Sequence, residues 1–185
     1  MSHSLITMGD GSLYDRLRHG DADAFTELYG QFGRRIFSYA SRLLKDPAAA
    51  EDVVQETMAK VYSSLPELAD KEALRGWIFT VARNQVFGQL RRTRAVRLED
   101  EDEVWDECTP LDSLVSAEET EIVRRLLEEL KPEYREALIL REFEGCSYAE
   151  IAGITSSTVC AVKSRIFKAR KGLLKRIQKQ YAEKE

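Results

Sequence analysis

Apolar residues return at steps of three and four along almost every periodic stretch of this chain, and that spacing admits helices and little else. Phe25, Leu28, Tyr29, Phe32, Ile36, Tyr39, Ala40 and Leu43 form one such stripe. Asp21, just after Gly20, is the expected N-cap of the helix that carries it. Asp46-Pro47 reads as a cap followed by proline at the first helical position, opening a second helix with Val54, Met58, Val61, Tyr62 and Leu65 inward until Pro66 ends it. A third helix is expected from about Lys71 to Arg94, with Leu74, Trp77, Ile78, Val81 and Ala82 inward, and a short one over Leu13 to Arg18. Ser116-Ala-Glu-Glu119 and Ser147-Tyr-Ala-Glu150 both have the form of a capping box. The first opens a helix with Ile122, Val123, Leu126, Leu127 and Leu130 inward, the second a short helix through Ala152. Between them Pro132 starts a helix ending near Gly145, and a last helix runs from about Thr158 to Gln178. No segment alternates with a period of two. The expected fold is all-α, in two small helical domains.

Charge divides the chain as sharply as periodicity. The net charge is only −4, yet Arg75, Arg83, Arg91, Arg92, Arg94 and Arg97 sit in a stretch without an acid. Glu99 to Glu118 holds Asp and Glu with no base, and Lys163 to Lys179 is basic again. The acidic stretch from Leu98 to Leu114 contains Pro110 and no helical period, so it reads as a linker extended by its own repulsion, or as a solvated loop. It is expected to hold the two basic surfaces apart and, in the free protein, to shield them.

Several function classes fall away. No nucleophile–base constellation, phosphate loop or metal cluster is visible, so no catalytic residue, cofactor or metal is expected. Cys108, Cys146 and Cys160 form no CxxC pair, and an odd, sparse set suits a reducing compartment. No apolar run approaches the ~18 residues of a membrane span, and the first residues do not resemble a secretory signal, so the expected location is cytoplasmic.

A short helix, a turn over Thr155-Ser156-Ser157 and a long basic helix form the pattern of a helix-turn-helix. Ile154, Val159, Val162, Ile166 and Leu173 are available for its core. Lys163, Ser164, Arg165, Phe167, Lys168 and Arg170 are available for a major groove, where Lys and Arg reach guanine edges or phosphates and Phe meets a thymine methyl. Earlier in the chain, Arg75, Trp77, Phe79, Arg83, Asn84, Phe87, Arg91 and Arg92 share one helix. Rings interleaved with arginines suit single-stranded DNA. Trp77 competes for a core position, while Phe79 and Phe87 are expected to be exposed.

In order and spacing, Asp21-Ala-Asp-Ala-Phe25 with Leu28-Tyr29, Ala50-Glu-Asp-Val-Val-Gln-Glu-Thr57, Leu74-Arg-Gly-Trp77 with Ala82-Arg-Asn84, and Tyr148-Ala-Glu-Ile-Ala152 with Val162-Lys-Ser-Arg165 closely resemble bacterial sigma factors of the extracytoplasmic-function type. The resemblance implies an N-terminal domain over 10–95 that binds the clamp coiled coil of core RNA polymerase and captures the minus-ten element. It implies a linker over 96–115 and a C-terminal helix-turn-helix domain over 116–185 that reads the minus-thirty-five element. By matched position Asp52, Gln55 and Glu56 would bind polymerase, Asn84 and the loop from Leu68 to Ala73 would read the flipped-out base, and the basic residues from Lys163 to Arg170 would face the groove. An anti-sigma partner is implied as well. The chain departs from the family in carrying Gly88, where Asp is common, and Ser156 and Ser157 in the turn. Two other readings stand beside this one: a free-standing helix-turn-helix regulator that binds duplex DNA as a dimer, and a sigma mimic that titrates an inhibitor.

Overall fold

The computed structural model describes residues 11–64, 73–97 and 125–182, and every element among them is a helix. The order is α1 (Gly11–Arg18), α2 (Ala22–Leu44), α3 (Pro47–Ser64), α4 (Leu74–Arg97), α5 (Pro132–Glu142), α6 (Tyr148–Ile154) and α7 (Val159–Ala182), with a further helical turn at 125–128. The acidic stretch expected as a linker, Leu65, the capping box at Ser116 and the loop residues 68–72 lie outside the described residues.

Local chemistry sets the helix ends. Asp21 caps α2 by accepting from the backbone N–H of Asp23 and Ala24, and Asp46 does the same for Ala48 and Ala49 at the start of α3. Each cap satisfies donors that a helix start leaves orphaned. Ser147 and Glu150 form the reciprocal capping box on α6, and each side chain accepts from the other residue's N–H. Gly145, at φ +65°, turns the chain between α5 and α6 in a conformation that costs other residues strain.

The α2 stripe buries Leu28, Phe32, Ile36, Tyr39, Ala40 and Leu43, and α3 adds Val53, Val54, Met58 and Val61. Tyr29 departs from the expectation. It is 47% exposed because its ring lies along its own helix over Gly33. Tyr62 is likewise 61% exposed, its ring meeting Phe25 edge-on at 5.1 Å on the rim of the bundle. In the C-terminal part Leu127, Leu130, Ile139, Leu140, Ile151, Ile154, Val162 and Ile166 fill the core. Helix α7 passes so close to Leu130 that a Cβ at Gly172 would stand 3.3 Å from the leucine methyl. Val159, expected in this core, is exposed, since it sits at the first position of α7 before the helix has packed.

The largest difference from the sequence expectation concerns the two units. They are not held apart. Helices α2 and α4 pack against α5 and α6, and one continuous core runs through both. Phe79, expected to be exposed, is fully buried. Its face of α4 meets α2, with the ring edge-on to Tyr39 at 5.7 Å and beneath the Arg35 guanidinium. A stripe analysis allots one inward face to a helix, whereas α4 contacts α2, α3 and α6.

Candidate nucleic-acid and polymerase interface

Three surfaces carry the residues singled out above. On α3, Asp52, Gln55 and Glu56 all project to solvent, while Val53 and Val54 between them and Thr57 and Met58 beyond are buried. Positions i, i+3 and i+4 lie on one side of a helix, so these side chains form a contiguous polar face that the fold leaves uncovered.

On α7, Lys163, Ser164, Phe167 and Lys168 share one exposed side, and Phe167 is 67% exposed. Behind this face, Val162, Ile166 and Ala169 anchor the helix. The turn that sets the pose of α7 is stapled by hydroxyls. Thr155 Oγ1 donates to the Ile151 carbonyl at 2.7 Å and lies 2.7 Å from Ser157 Oγ, and Thr158 Oγ1 accepts from Ala161 N–H. Ser156 adopts φ +49°, so the serine in the turn takes a left-handed conformation that glycine reaches without strain. Arg165 is half-buried and reaches back to Ser157 Oγ at 3.4 Å, and Arg170 pairs with Glu142 of α5. Of the six groove candidates, four stand together in the open and two are tethered to their own unit.

On α4 the set divides again. Asn84, Arg91 and Arg92 are exposed. Trp77 is half-buried, packed against the core. Phe87 is half-buried too, beneath the Arg83 guanidinium at 4.5 Å. Arg75 and Arg83 face the C-terminal unit. Arg83 Nε lies 2.8 Å from Glu136 Oε1. Arg75 Nη1 donates to Glu150 Oε1 at 3.3 Å, while its Nη2 donates to the Glu144 carbonyl and approaches Cys146 Sγ at 3.4 Å. Arg35 on α2 completes the row, with Nε 3.0 Å from Glu144 Oε2 and Nη2 on the Glu144 carbonyl.

The carboxylates at the centre were missed from sequence. Glu136 is 0% and Glu144 6% exposed, and burial pushes the carboxyls of both above the ordinary glutamate range, against the pull of Arg83 and Arg35. One signal was available for Glu136, a lone acid running directly into the apolar Ala137-Leu-Ile-Leu140. A charge in a buried run needs a partner from elsewhere in the fold.

The comparisons with known proteins agree with this layout. Residues 28–96 match the family model for sigma-70 region 2, and residues 120–173 match that for sigma-70 region 4. The ECF RNA polymerase sigma-E factor of Escherichia coli strain K12 is 32% identical over 181 residues, covering 91% of this chain and 94% of that protein. The RNA polymerase sigma-H factor of Pseudomonas aeruginosa is 30% identical over the same length. Among solved structures, CnrH in complex with the cytosolic domain of CnrY superposes with a TM-score of 0.70 at 25% identity, over 90% of this chain and 95% of that one. The sigma factor RpoE from Bartonella quintana, in complex with the anti-sigma factor NepR, gives 0.71 at 25% identity, over 85% and 98%. The chain therefore belongs to the sigma-70 family as a sigma factor of the extracytoplasmic-function type, which serves promoter-specific initiation of transcription.

Proposed function

We propose that the three surfaces divide the work of initiation as the resemblance implies. Asp52, Gln55 and Glu56 on α3 meet the clamp coiled coil of core polymerase. Arg75, Trp77, Arg83, Asn84, Arg91 and Arg92 on α4 hold the opened minus-ten strand, with guanidiniums along the phosphates. Lys163, Ser164, Phe167 and Lys168, assisted by Arg165 and Arg170, read the minus-thirty-five duplex from the major groove. The corresponding units are residues 10–95 and 116–185, joined by the acidic segment over 96–115.

The observation that carries this reading is the outward projection of two dissimilar faces from one fold: the polar, partly acidic face of α3 and the basic face of α7 around Phe167. A free-standing regulator has use for the second and none for the first. On the same reading the chain catalyses no reaction itself, works in the cytoplasm, and is held in check by an anti-sigma partner, as the similar sigma factor RpoE from Bartonella quintana is seen bound to one.

Run-off transcription with bacterial core polymerase, the purified chain and a library of upstream regions tests the reading. Transcripts that require the chain, and enrichment of two spaced sequence elements, are expected. Failure to associate with core enzyme, together with tight unaided binding to duplex DNA, would favour the free-standing regulator instead.

A further inference from the structure

We propose that Gly88 and the guanidiniums of Arg91 and Arg92 form a phosphate seat on α4, in which the backbone of the minus-ten strand lies directly against the helix. The seat presupposes the reading of α4 given above and adds how the helix makes room for the strand.

A glycine inside a helix is less stable there than alanine, because it gives up more backbone freedom and packs nothing. Gly88 lies in the interior of α4 (Leu74–Arg97), and no part of the core requires its missing Cβ. One built there would meet only Arg91 Nη2 and Arg92 Nη2, each at 4.0 Å. Gly172 differs, since its Cβ would crowd Leu130. Gly30 and Gly76 are as uncrowded as Gly88, but no side chain reaches over them. Gly88 alone combines a bare helix surface with two cations above it.

That geometry says what approaches. Side chains on a helix lean toward its N-terminus, so residues at i+3 and i+4 reach back over residue i. Arg91 and Arg92 do this over Gly88, and their Nη2 atoms converge on the point a Cβ would occupy. Two cations brought together repel unless an anion sits between them. Helix α4 holds no Asp or Glu from Leu74 to Arg97, so none of its own residues supplies that anion. Asn84, one turn before Gly88, is exposed on the same side, as are Arg91 and Arg92. Two guanidinium forks over bare backbone suit a phosphodiester, whose two free oxygens accept from both.

Gly88→Ala tests the seat, for it keeps both arginines and fills the notch. Gly88→Asp goes further and offers the arginines a carboxylate at helical spacing. Full-length chain is titrated with a short, fluorescein-labelled single strand of random sequence at several salt concentrations. Each phosphate contact contributes about −0.7 to the slope of log K against log salt for a single strand. Gly88→Ala should therefore flatten the slope by about 0.7 and weaken binding, and Gly88→Asp should weaken it more, by about tenfold. A glycine of merely structural importance would not move the slope. Parental affinity and slope in Gly88→Ala overturn the seat. Arg91→Ala/Arg92→Ala tests the reading of α4 separately, because it should weaken binding with or without a notch. Should the free chain bind too weakly to titrate, the salt dependence of run-off transcription by core polymerase with each variant, on a promoter recovered from the upstream library, decides by the same criteria.

Discussion

The phenolic hydroxyl of Tyr39 on α2 donates to Glu136 Oε1 on α5 at 3.0 Å, joining side chains 97 positions apart in the interior of the fold. Both are fully buried, and Arg83 Nε of α4 stands 2.8 Å from the same carboxylate oxygen as an ion pair. One acid thereby ties three helices together. Tyr39→Phe keeps the ring and its edge-on contact with Phe79 but removes the donor. Hydrogen bonds to charged groups contribute roughly 1.5–3 kcal/mol, so denaturant unfolding should show a loss of about 2 kcal/mol. A loss below about 0.5 kcal/mol would mean that Arg83 alone satisfies Glu136.

Folding stability should fall as pH rises through the range where the two buried carboxyls titrate. Glu136 faces Tyr39 on α2, Arg83 on α4 and Arg165 on α7, and Glu144 faces Arg35 and Arg42 on α2 and Arg75 on α4. Burial is the largest influence on both and raises them above the ordinary value despite these cations. An acid whose pKa is raised by folding favours the folded form while protonated. Its contribution is complete below the unfolded value of roughly 4.3 and is lost as pH climbs through the raised value. Thermal melting followed from mildly acid to neutral pH should show this decline in the parent chain and a flatter profile in Glu136→Gln/Glu144→Gln. Parallel profiles would dismiss the two carboxyls as its source.

The two described cysteines should behave oppositely. Burial pushes the Cys146 thiol up to about 11, so at neutral pH it is both protonated and covered. Cys160 on α7 is exposed. Thiolate is the reactive form. In a Cys108→Ser background, native alkylation followed by peptide mass mapping should modify Cys160 quickly and Cys146 only on unfolding or opening. Equal rates would contradict the closed arrangement.

Much of the helical framework is legible in the residues themselves because it rests on local physics. The α2 stripe, the caps at Asp21 and Asp46 and the Ser147–Glu150 box each follow from spacing within a few positions. The α3 face and the exposed side of α7 follow from the same periodicity. What the sequence withholds is tertiary. Phe79 is buried because α2 crosses α4 there and lays Tyr39 and Arg35 on its ring, and nothing within α4 announces that neighbour. Arg83 and Glu136 look like two ordinary charges until the fold brings them to 2.8 Å. An arginine that suits a phosphate suits a carboxylate equally, so composition alone could not say which it holds in the free chain.

Gly88 offers a stability test independent of the interface. It lies within α4, and a Cβ there would meet only the guanidinium ends of Arg91 and Arg92 at 4.0 Å. These are flexible and exposed. Glycine inside a helix costs about 0.5–1 kcal/mol relative to alanine, so Gly88→Ala should raise stability by that amount. For a chain of this length that is about 2–4 °C in Tm per kcal/mol. A lower Tm would reveal a close neighbour at Gly88 that the described residues do not contain.

The α3 face separates folding from function most cleanly. Asp52, Gln55 and Glu56 are exposed, so replacing them removes no packing, and surface changes of this kind usually stay within about 0.5 kcal/mol. If they form the contact with core polymerase, Asp52→Ala and Gln55→Ala should leave the melting curve in place while association with core enzyme falls, on the order of tenfold when a charged or central polar contact is lost. Lys163→Ala should do the converse, keeping core association while reducing dependence on the upstream element, because α7 meets duplex rather than protein on this reading. Titrating each variant against labelled core polymerase, then against promoters with and without that element, distinguishes the two faces. Unaltered core association in the Asp52→Ala/Gln55→Ala double variant would move the polymerase contact off α3 and require another surface for it.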